Sequence, residues 1–396
     1  MKIKLVLKPI LAVIVVLLAA SNAALADESS DYISELLVSD AFHPPAEGDP
    51  GNLYNEWHYF NMIDEEQNLS AICTFKLNGD TNSSAVLLGY YVNDTSFSFY
   101  EEHPLTPEFV NYSSQSPDIR IANNTVTLTD EGYRVHIESG NGVDVFDALF
   151  KPKAEPAPVF NSSNFSVPGM GINWLVASPK MEVSGNLSAA GQIYSLNNAR
   201  AYHDHNWGYW SWGEDLGWDW GQVSQAGNYS NETTGGYSLS FGNITNANHS
   251  QSISSVLNVW EGGNIIGNFS GEEIQIEHSN LSSIDIEITP AEMSPEYILP
   301  QGSFSFPQNT LLNASSGSDT LKIEFTTQRS VPLTVMIPDG SESGNESGAV
   351  IKYRIIWEMI GTYQIYGVID GKPISYTSDG FMEYVAGEPV SPVLFS

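Results

Sequence analysis

The chain has 396 residues, of which 41% are hydrophobic, and it carries 15 Lys and Arg against 47 Asp and Glu. This hydrophobic fraction is sufficient for a folded core, which excludes a disordered acidic tail. The formal net charge of −32 argues against nucleic acid as a partner, because phosphate binding requires clustered Lys and Arg. An anionic membrane surface is disfavoured for the same reason.

The first 26 residues have the pattern of a secretory signal peptide. Three lysines up to Lys8 precede an apolar run over 10–20, and an A-x-A cleavage site ends at Ala26. We therefore expect a secreted or cell-surface protein whose mature chain starts at Asp27. No later stretch has the roughly 20 apolar residues of a membrane helix, so no membrane span is expected in the mature chain. An uncleaved N-terminal anchor is the alternative.

The single cysteine and the N-x-S/T triplets are relevant to an exported protein. The single cysteine, Cys73, cannot form an internal disulfide and is predicted to be a buried small apolar residue. N-x-S/T triplets recur along the chain, for example at Asn68, Asn161 and Asn243. Together with the export signal they predict a glycoprotein.

Beyond the signal, short alternating apolar runs are separated by Asn, Gly, Asp and Pro, which is typical of antiparallel β-strands. These strands should average about six to eight residues. The prolines of 151–158 predict a connector, and the polar stretch 339–348 predicts a surface loop. The predicted strands are 57–62, 69–77, 86–92, 119–121, 125–129, 133–137, 237–241, 255–260, 265–269, 284–288, 322–327, 351–359 and 363–369.

The fold class predicted from this pattern is all-β, with two consecutive antiparallel β-barrel or sandwich domains that divide near residues 208–216. Closed sheets would hide their edges, which protects an exported β-protein from aggregation. The predicted organisation is a signal peptide at 1–26, an N-terminal extension at 27–44, an N-terminal β-domain at 45–210 and a C-terminal β-domain at 211–396.

The densest group of chemically active side chains lies between positions 201 and 221. It includes five of the nine tryptophans, namely Trp207, Trp210, Trp212, Trp218 and Trp220. Alternate residues of an extended strand face opposite sides. One side of a strand over 202–207 therefore carries His203, His205 and Trp207, and the other carries Tyr202, Asp204 and Asn206.

Three interpretations of this strand are open. His203 and His205 could bind a metal, since an H-x-H pair on a strand converges on one point, but spacing identifies no third ligand. A histidine could act as an acid near neutral pH, with an indole stabilising a developing positive charge. Alternatively, the tryptophans form an interdomain core and the polar groups satisfy buried backbone.

A second cluster opens the first predicted domain. On a strand, Glu56, His58 and Phe60 share one face, while Trp57 and Tyr59 lie opposite. Glu56 and His58 could form a proton-handling pair. An ordinary cross-strand hydrogen bond is the alternative.

These motifs resemble the hydroxyneurosporene synthase (carotenoid 1,2-hydratase) and AttH-type lipocalin-like family. The resemblance extends from about residue 45 to the C-terminus. It implies two consecutive lipocalin-like (calycin) domains with an apolar pocket at or near their junction. The motifs that carry it are Glu56-Trp-His-Tyr-Phe60, Tyr202-His-Asp-His-Asn-Trp-Gly208 and Trp218-Asp-Trp220.

In the hydratases of this family, an acid protonates a terminal isoprenoid double bond, aromatic rings stabilise the cation, and water is captured. The resemblance therefore implies catalytic roles for His205, Trp207 and Asp204. This chain departs from the family at two places. Family members usually have a second Trp where this chain has His58. The hydratases are also expected to carry an acidic residue on the strand after the Trp-Asp-Trp motif, but 237–240 contains none, so Asp219 or Glu232 could supply the acid instead. The implied ligand-binding residues are Glu56, Trp57, His58, Tyr202, His203, Trp218, Trp220 and Tyr237.

We therefore expect an exported protein that binds an apolar isoprenoid or lipid-like ligand, with hydratase-type acid catalysis. A non-catalytic lipid carrier or surface protein and a carbohydrate-binding protein are the alternatives. No cofactor is expected, no metal site is assigned, and the sequence does not indicate an oligomeric state.

Overall fold

The computed structural model describes residues 32–45, 49, 51–79, 81–92, 95–140, 142–164, 171–189, 191–210, 216–226, 236–286, 302–337 and 352–385. The predicted signal peptide and the predicted loop 339–348 lie outside these ranges, as do Trp212 and Glu232. In the part that is described, no helix is long and apolar enough to cross a membrane.

Two antiparallel sheets make up most of the described residues, one of them a nearly closed barrel, which confirms the predicted all-β class. The strands of the first sheet are β1 (Tyr54–Asp64), β2 (Leu69–Asn78), β3 (Ser83–Val92), β4 (Thr95–Pro104), β5 (Val110–Tyr112), β6 (Ile119–Ile121), β7 (Asn124–Thr129), β8 (Gly132–Glu138), β9 (Val145–Pro152), β10 (Ala157–Asn164), β11 (Gly171–Ala189) and β12 (Gln192–Tyr209). Those of the second are β13 (Gly217–Ser224), β14 (Tyr237–Thr245), β15 (Ser252–Glu261), β16 (Asn264–Ser270), β17 (Ile274–Ile286), β18 (Gly302–Ser316), β19 (Asp319–Ile337), β20 (Lys352–Ile369) and β21 (Lys372–Val385). One helix spans 32–39, and short 3-10 turns span Gly51–Leu53 and Gly271–Glu273.

In both sheets, most strands that are consecutive in the sequence are also adjacent in the sheet. The first sheet runs β4-β3-β2-β1-β12-β11-β9-β8-β7-β6-β5, with β10 on β11, and the second runs β16-β15-β14-β13-β21-β20-β19-β18-β17. In each sheet the connection that breaks the meander pairs its first strand with its last, β1 with β12 and β13 with β21. This pairing brings chain segments about 150 residues apart into direct register.

The two sheets enclose three hydrophobic cores. The first core fills the inner face of the first sheet and includes Phe60 and Tyr133. The second core fills the inner face of the second sheet and includes Phe325. The junction core lies between the sheets and includes Tyr59 and Trp220. Strands that contact both an inner core and the junction are buried on both faces, as in β1, where ten of the eleven residues are buried.

The alternation predicted for the two aromatic motifs is confirmed. Strand β1 pairs with β12 in a register that places His58 opposite His205 and Phe60 opposite His203. Phe60 belongs to the first core, whereas Tyr59 and Tyr202 belong to the junction core. The two motifs therefore lie on adjacent strands. Their alternate side chains face the first core on one side of the sheet and the junction core on the other.

Several strands are much longer than the predicted six to eight residues. β11 and β19 have 19 residues each, and β12 and β20 have 18. The predicted strands 351–359 and 363–369 are one strand, β20, which continues through Gly361. A Cβ at Gly361 would lie 2.1 Å from the carbonyl oxygen of Thr326, so glycine lets β19 and β20 approach where their register shifts.

The segment predicted as an N-terminal extension packs into the first core. Helix 32–39 buries Leu36 there, and the Asp40 amide donates to the Leu36 carbonyl (3.1 Å). The Phe42 amide then donates to the main-chain carbonyl of Ser113 (3.1 Å), and the His43 amide donates to the Glu56 carboxylate (2.8 Å). Residues 40–43 are thereby fixed against β1.

Candidate active site

A cleft with a volume of about 90 Å³ lies where the two sheets meet. Its walls are mostly apolar and come from β2 to β4 on one side and from β19 to β21 on the other. An apolar cavity of about 150 Å³ accommodates benzene, so this cleft suits a smaller group, such as the branched end of a hydrocarbon chain. Apolar residues of its wall include Ile72, Leu87, Leu333, Ile360 and Phe381.

Glu358 is the acidic residue in the wall of this cleft. It lies on β20 directly opposite Glu383 on β21, and it is only 5% exposed. Burial raises the pKa of Glu358 well above its usual range, and the neighbouring carboxyl groups of Glu383 and Asp204 raise it further. Glu358 therefore favours the neutral carboxylic acid, which can donate a proton.

Glu383 is the partner that holds negative charge more easily. Burial raises its pKa, but hydrogen bonds from Glu358 and Trp218 counteract this shift. The Trp218 indole donates to Glu383 Oε2 over 3.0 Å. Because two adjacent buried carboxylates cannot both ionise without strong repulsion, the pair retains a proton, and the Trp218 contact favours its placement on Glu358.

Two polar atoms of the cleft wall have no hydrogen-bond partner among the described residues. They are Glu358 Oε1 and the hydroxyl oxygen of Tyr91. Burial and the nearby Glu358 raise the pKa of Tyr91 to about 12, so its hydroxyl keeps its proton. A buried polar atom without a partner costs roughly 1–3 kcal/mol, and a bound water or ligand group would remove that cost.

Behind the acid pair, the junction core supplies two separate sets of hydrogen bonds. The Tyr59 hydroxyl donates to Glu358 Oε2 (3.5 Å). The Trp220 indole donates to the Tyr202 hydroxyl (3.2 Å), which in turn donates to Asp204 Oδ2 (2.8 Å). Burial raises the pKa of Asp204 well above its usual range. Of the residues predicted for the site, Trp218 contacts the acid pair directly, and Asp204 is close enough to raise the pKa of Glu358. Tyr202 contacts Asp204, and Trp220 packs against Tyr59.

The predicted histidines lie elsewhere, inside the first core. His205 Nδ1 is 3.2 Å from Asp40 Oδ1, and His205 Nε2 is 2.8 Å from Glu56 Oε1. Burial alone would lower the pKa of His205, but contacts with Asp40 and Glu56 raise it to about 9. Glu56 therefore contacts His205 rather than His58, the partner considered from the sequence. His205 does not line the cleft, and its catalytic role stays a prediction.

His58 and Trp207 also face the first core side of the sheet. The His58 ring stacks on Phe42 with centroids 4.5 Å apart, and burial lowers its pKa well below the usual value. Trp207 stacks on His43 at 3.9 Å. Neither residue lines the cleft, so the catalytic role implied for Trp207 and the ligand-binding role implied for His58 stay predictions.

Three further predicted residues occupy separate positions. Trp57 packs edge-on against Trp210 in the junction, with centroids 5.4 Å apart. Tyr237 donates a hydrogen bond to Glu261 (3.2 Å) beside the second core, away from the cleft. Asp219, considered as a replacement acid, contacts His278 instead and does not line the cleft.

Among the residues that the structure describes, three groups of side chains have donor atoms close enough to hold a metal ion. In each group the donor atoms lie within 4.8 Å of one another. The groups are Asp40 with His58 and His203, His43 with Glu56 and His205, and Asp219 with His249 and His278. None of their members lines the cleft.

Sequence reasoning missed Glu358, Glu383, Tyr91 and Asp40. A signal was present for the two glutamates, since each interrupts an otherwise apolar strand, in Ile355-Ile-Trp-Glu-Met359 and Phe381-Met-Glu-Tyr384. A charged residue inside an apolar strand is costly without a partner. Their pairing could not be read from the sequence, because it depends on the register of β20 against β21.

The tryptophans in the described ranges give no platform for a sugar. Every tryptophan in the described ranges is buried or half-buried. Trp210, Trp220, Trp260 and Trp357 are among the largest fully buried side chains. Carbohydrate binding by stacking requires exposed indole faces, so the described residues do not favour that alternative.

Comparison with known proteins finds likeness in structure only. No protein-family model and no curated protein sequence matches the chain. An AttH-type protein from Nitrosomonas europaea is similar in structure, with a TM-score of 0.56 and 14% identity over 88% of this chain and 98% of that one. Kievitone hydratase from Nectria haematococca has a TM-score of 0.51 and 13% identity over 87% of this chain and 93% of its own.

These likenesses identify the class of protein by its fold. The chain has the lipocalin-like architecture of the two solved structures, as the AttH-type resemblance implied. At such low identity the likeness shows the fold alone. The more specific resemblance to hydroxyneurosporene synthase stays a prediction.

Proposed function

We propose that this protein is a hydratase that adds water to a carbon–carbon double bond at the apolar end of an isoprenoid or lipid-like molecule. The observation that carries this proposal is the neutral, buried carboxyl of Glu358, whose Oε1 has no partner among the described residues and borders an apolar cleft. A pocket with apolar walls, few polar groups and a perturbed pKa is the expected setting for acid catalysis.

In the proposed reaction, the Glu358 carboxyl donates its proton to one alkene carbon. The positive charge that develops on the other carbon offsets the repulsion between the Glu358 and Glu383 carboxylates until the proton returns. The rings of Tyr91 and Phe381 in the cleft wall stabilise this charge through their π faces. Water held by the Tyr91 hydroxyl forms the new C–O bond and releases a proton to the Glu358 carboxylate. The net change is the addition of one water molecule, and the acid is regenerated.

The comparisons support this proposal at the level of the fold. Kievitone hydratase is named for a hydration reaction and shares the fold over 87% of this chain. The fold is therefore compatible with a hydratase, but the activity must be argued from the site. The apolar nature of the substrate rests on the walls of the cleft, and export rests on the pattern of the first 26 residues.

The direct test is incubation of the purified protein with squalene or geranylgeraniol in ¹⁸O-labelled water, followed by mass spectrometry for the gain of one labelled water. We expect Glu358→Gln to reduce product formation by about 10²–10⁴-fold, the usual contribution of a general acid. Glu324→Gln is the matched control, because Glu324 is an exposed glutamate on the neighbouring strand β19. Equal turnover by Glu358→Gln and the native chain would disprove the assignment.

A non-catalytic lipid carrier is the second candidate function, supported by the same apolar cleft. Retention of an alkene after purification, with no labelled product at any pH, is the result that favours it. Loss of that retention in a variant that fills the cleft, such as Gly89→Leu, would assign the binding to this cleft.

A further inference from the structure

Four side chains converge inside the first core, on the opposite side of β1 and β12 from the cleft. They are His58 of β1, His203 and His205 of β12, and Asp40, which follows the N-terminal helix. All four are 0% exposed. His203 Nε2 lies 3.0 Å from Asp40 Oδ2, His205 Nδ1 lies 3.2 Å from Asp40 Oδ1, and His58 Nδ1 lies 3.9 Å from Asp40 Oδ2.

The outward-facing nitrogens of two of these histidines are already engaged. His203 Nδ1 is 2.9 Å from the carbonyl oxygen of Tyr59, which only accepts hydrogen bonds, so this nitrogen carries a hydrogen. His205 Nε2 is 2.8 Å from the carboxylate of Glu56, which requires a hydrogen in the same way. The second nitrogen of each ring, His203 Nε2 and His205 Nδ1, points toward Asp40.

His58 is the member of this group that lacks partners. Both of its ring nitrogens are buried and have no hydrogen-bond partner among the described residues, and Nδ1 faces Asp40 Oδ2 at 3.9 Å. A cation bonded to Asp40, His58 and His203 would give one of these nitrogens the partner that it lacks.

We propose that Asp40, His58 and His203 form a binding site for a divalent transition-metal ion, with zinc as the preferred ion. Their donor atoms lie within 4.8 Å of one another. Imidazole nitrogen and carboxylate oxygen are typical zinc donors, and three protein ligands leave one tetrahedral position open. Tetrahedral zinc with bonds of about 2.0–2.1 Å has donor atoms about 3.3 Å apart. The distances from Asp40 Oδ2 to His203 Nε2 (3.0 Å) and to His58 Nδ1 (3.9 Å) are close to this spacing.

The surrounding residues hold the donors as metal ligands are usually held. The Tyr59 carbonyl fixes the orientation of His203 through its outward nitrogen, and the Tyr133 hydroxyl donates to Asp40 Oδ2 (2.6 Å). Such contacts set the tautomer and ring direction of metal-bound histidine. The ion would connect the segment after helix 32–39 to the pairing of β1 with β12. This role is independent of the proposed hydratase reaction, which uses the other face of these strands.

The test uses the purified full chain, stripped with a chelator and reloaded with Zn²⁺ or Co²⁺. We expect one bound ion at this site and a single anomalous peak at the zinc edge between Asp40, His58 and His203 in a crystal. Co²⁺ should give the intense visible absorption of a tetrahedral site. We expect Tyr133→Phe, which removes the hydroxyl that donates to Asp40 Oδ2, to weaken Zn²⁺ binding by about 10–100-fold, as is usual for a residue that orients a ligand. His203→Ala should abolish binding.

His136→Ala is the matched control, because His136 also lies near carboxylates but is partly exposed on β8, and it should bind zinc as the native chain does. If His203→Ala does not fold, the cobalt spectrum and the anomalous peak of the native chain decide the question without any variant. An anomalous peak at Asp219, His249 and His278 alone, or no binding above the level of a stripped blank, would overturn the proposal.

Discussion

The hydroxyl of Tyr59 donates a hydrogen bond to Glu358 Oε2 across the junction of the two sheets, over 3.5 Å. The main-chain carbonyl of the same tyrosine lies 2.9 Å from His203 on the other side of the strand. One residue of β1 therefore contacts both the candidate acid and the buried histidine cluster.

The proposed acid predicts a specific pH dependence of turnover. Because burial and nearby carboxyls raise the pKa of Glu358, its protonated form persists into a range where an ordinary glutamate is ionised. Turnover should stay constant at low pH and decline as pH rises through this elevated pKa. Initial rates measured from pH 4 to 9 on a substrate identified by the labelled-water assay check this. A rate that increases with pH over this range would contradict an acid role.

The same shift predicts how stability changes with pH. A carboxyl whose pKa is higher in the folded than in the unfolded chain holds a proton that unfolding releases, so the folded state gains stability below the unfolded pKa of about 4.3 and loses it as pH rises through the folded value. Replacing Glu358 with Gln should remove this loss. Urea midpoints of the variant and of Glu324→Gln, compared at pH 5 and pH 8, give the measurement.

Tyr91→Phe should separate function from stability. The variant loses a hydroxyl that has no partner among the described residues, so its free energy of unfolding should stay within about 0.5 kcal/mol of the native value or increase. Turnover should decrease because the attacking water loses its donor. Tyr376→Phe is the matched control, since Tyr376 also has an unpartnered buried hydroxyl but belongs to the second core. Equal effects of both changes on turnover would argue against a role for Tyr91.

Gly361→Ala should destabilise the second sheet. The added methyl group would lie 2.1 Å from the Thr326 carbonyl oxygen and 2.8 Å from the Phe325 ring. Such overpacking costs about 1–3 kcal/mol. Gly51→Ala provides the comparison, because a Cβ at Gly51 meets nothing within 4 Å. Chemical denaturation should show a lower midpoint for the first variant only.

The contact between Asp219 and His249 predicts stability that declines in alkali. Burial opposes the charged form of His249, but Asp219 at 3.3 Å raises its pKa above the usual value. This contribution is complete below the unfolded histidine pKa of about 6.5 and is lost as pH rises through the folded value. The destabilisation caused by Asp219→Asn should therefore be larger at pH 6 than at pH 9. Asp147→Asn, at an exposed position, should show no such difference.

Much of the secondary structure could be predicted from local pattern. The alternation that assigns His203 and His205 to one face and Tyr202 and Asp204 to the other requires only the period of a strand, and the pairing of β1 with β12 keeps it. Strand length was misjudged because glycine and register shifts let β20 continue where the sequence indicates a break. Propensity is local, whereas the sheet that extends these strands is not.

The sequence by itself determined an acidic, almost wholly β chain with two dense aromatic motifs, because composition and period-two alternation are properties of neighbouring residues. Only the tertiary structure decided that Glu358 meets Glu383 and that Asp40 meets three histidines, since these contacts depend on strand register and on the packing of helix 32–39. Burial then set the chemistry. Removal of water raises the pKa of Glu358, and it leaves both ring nitrogens of His58 without a hydrogen-bond partner among the described residues.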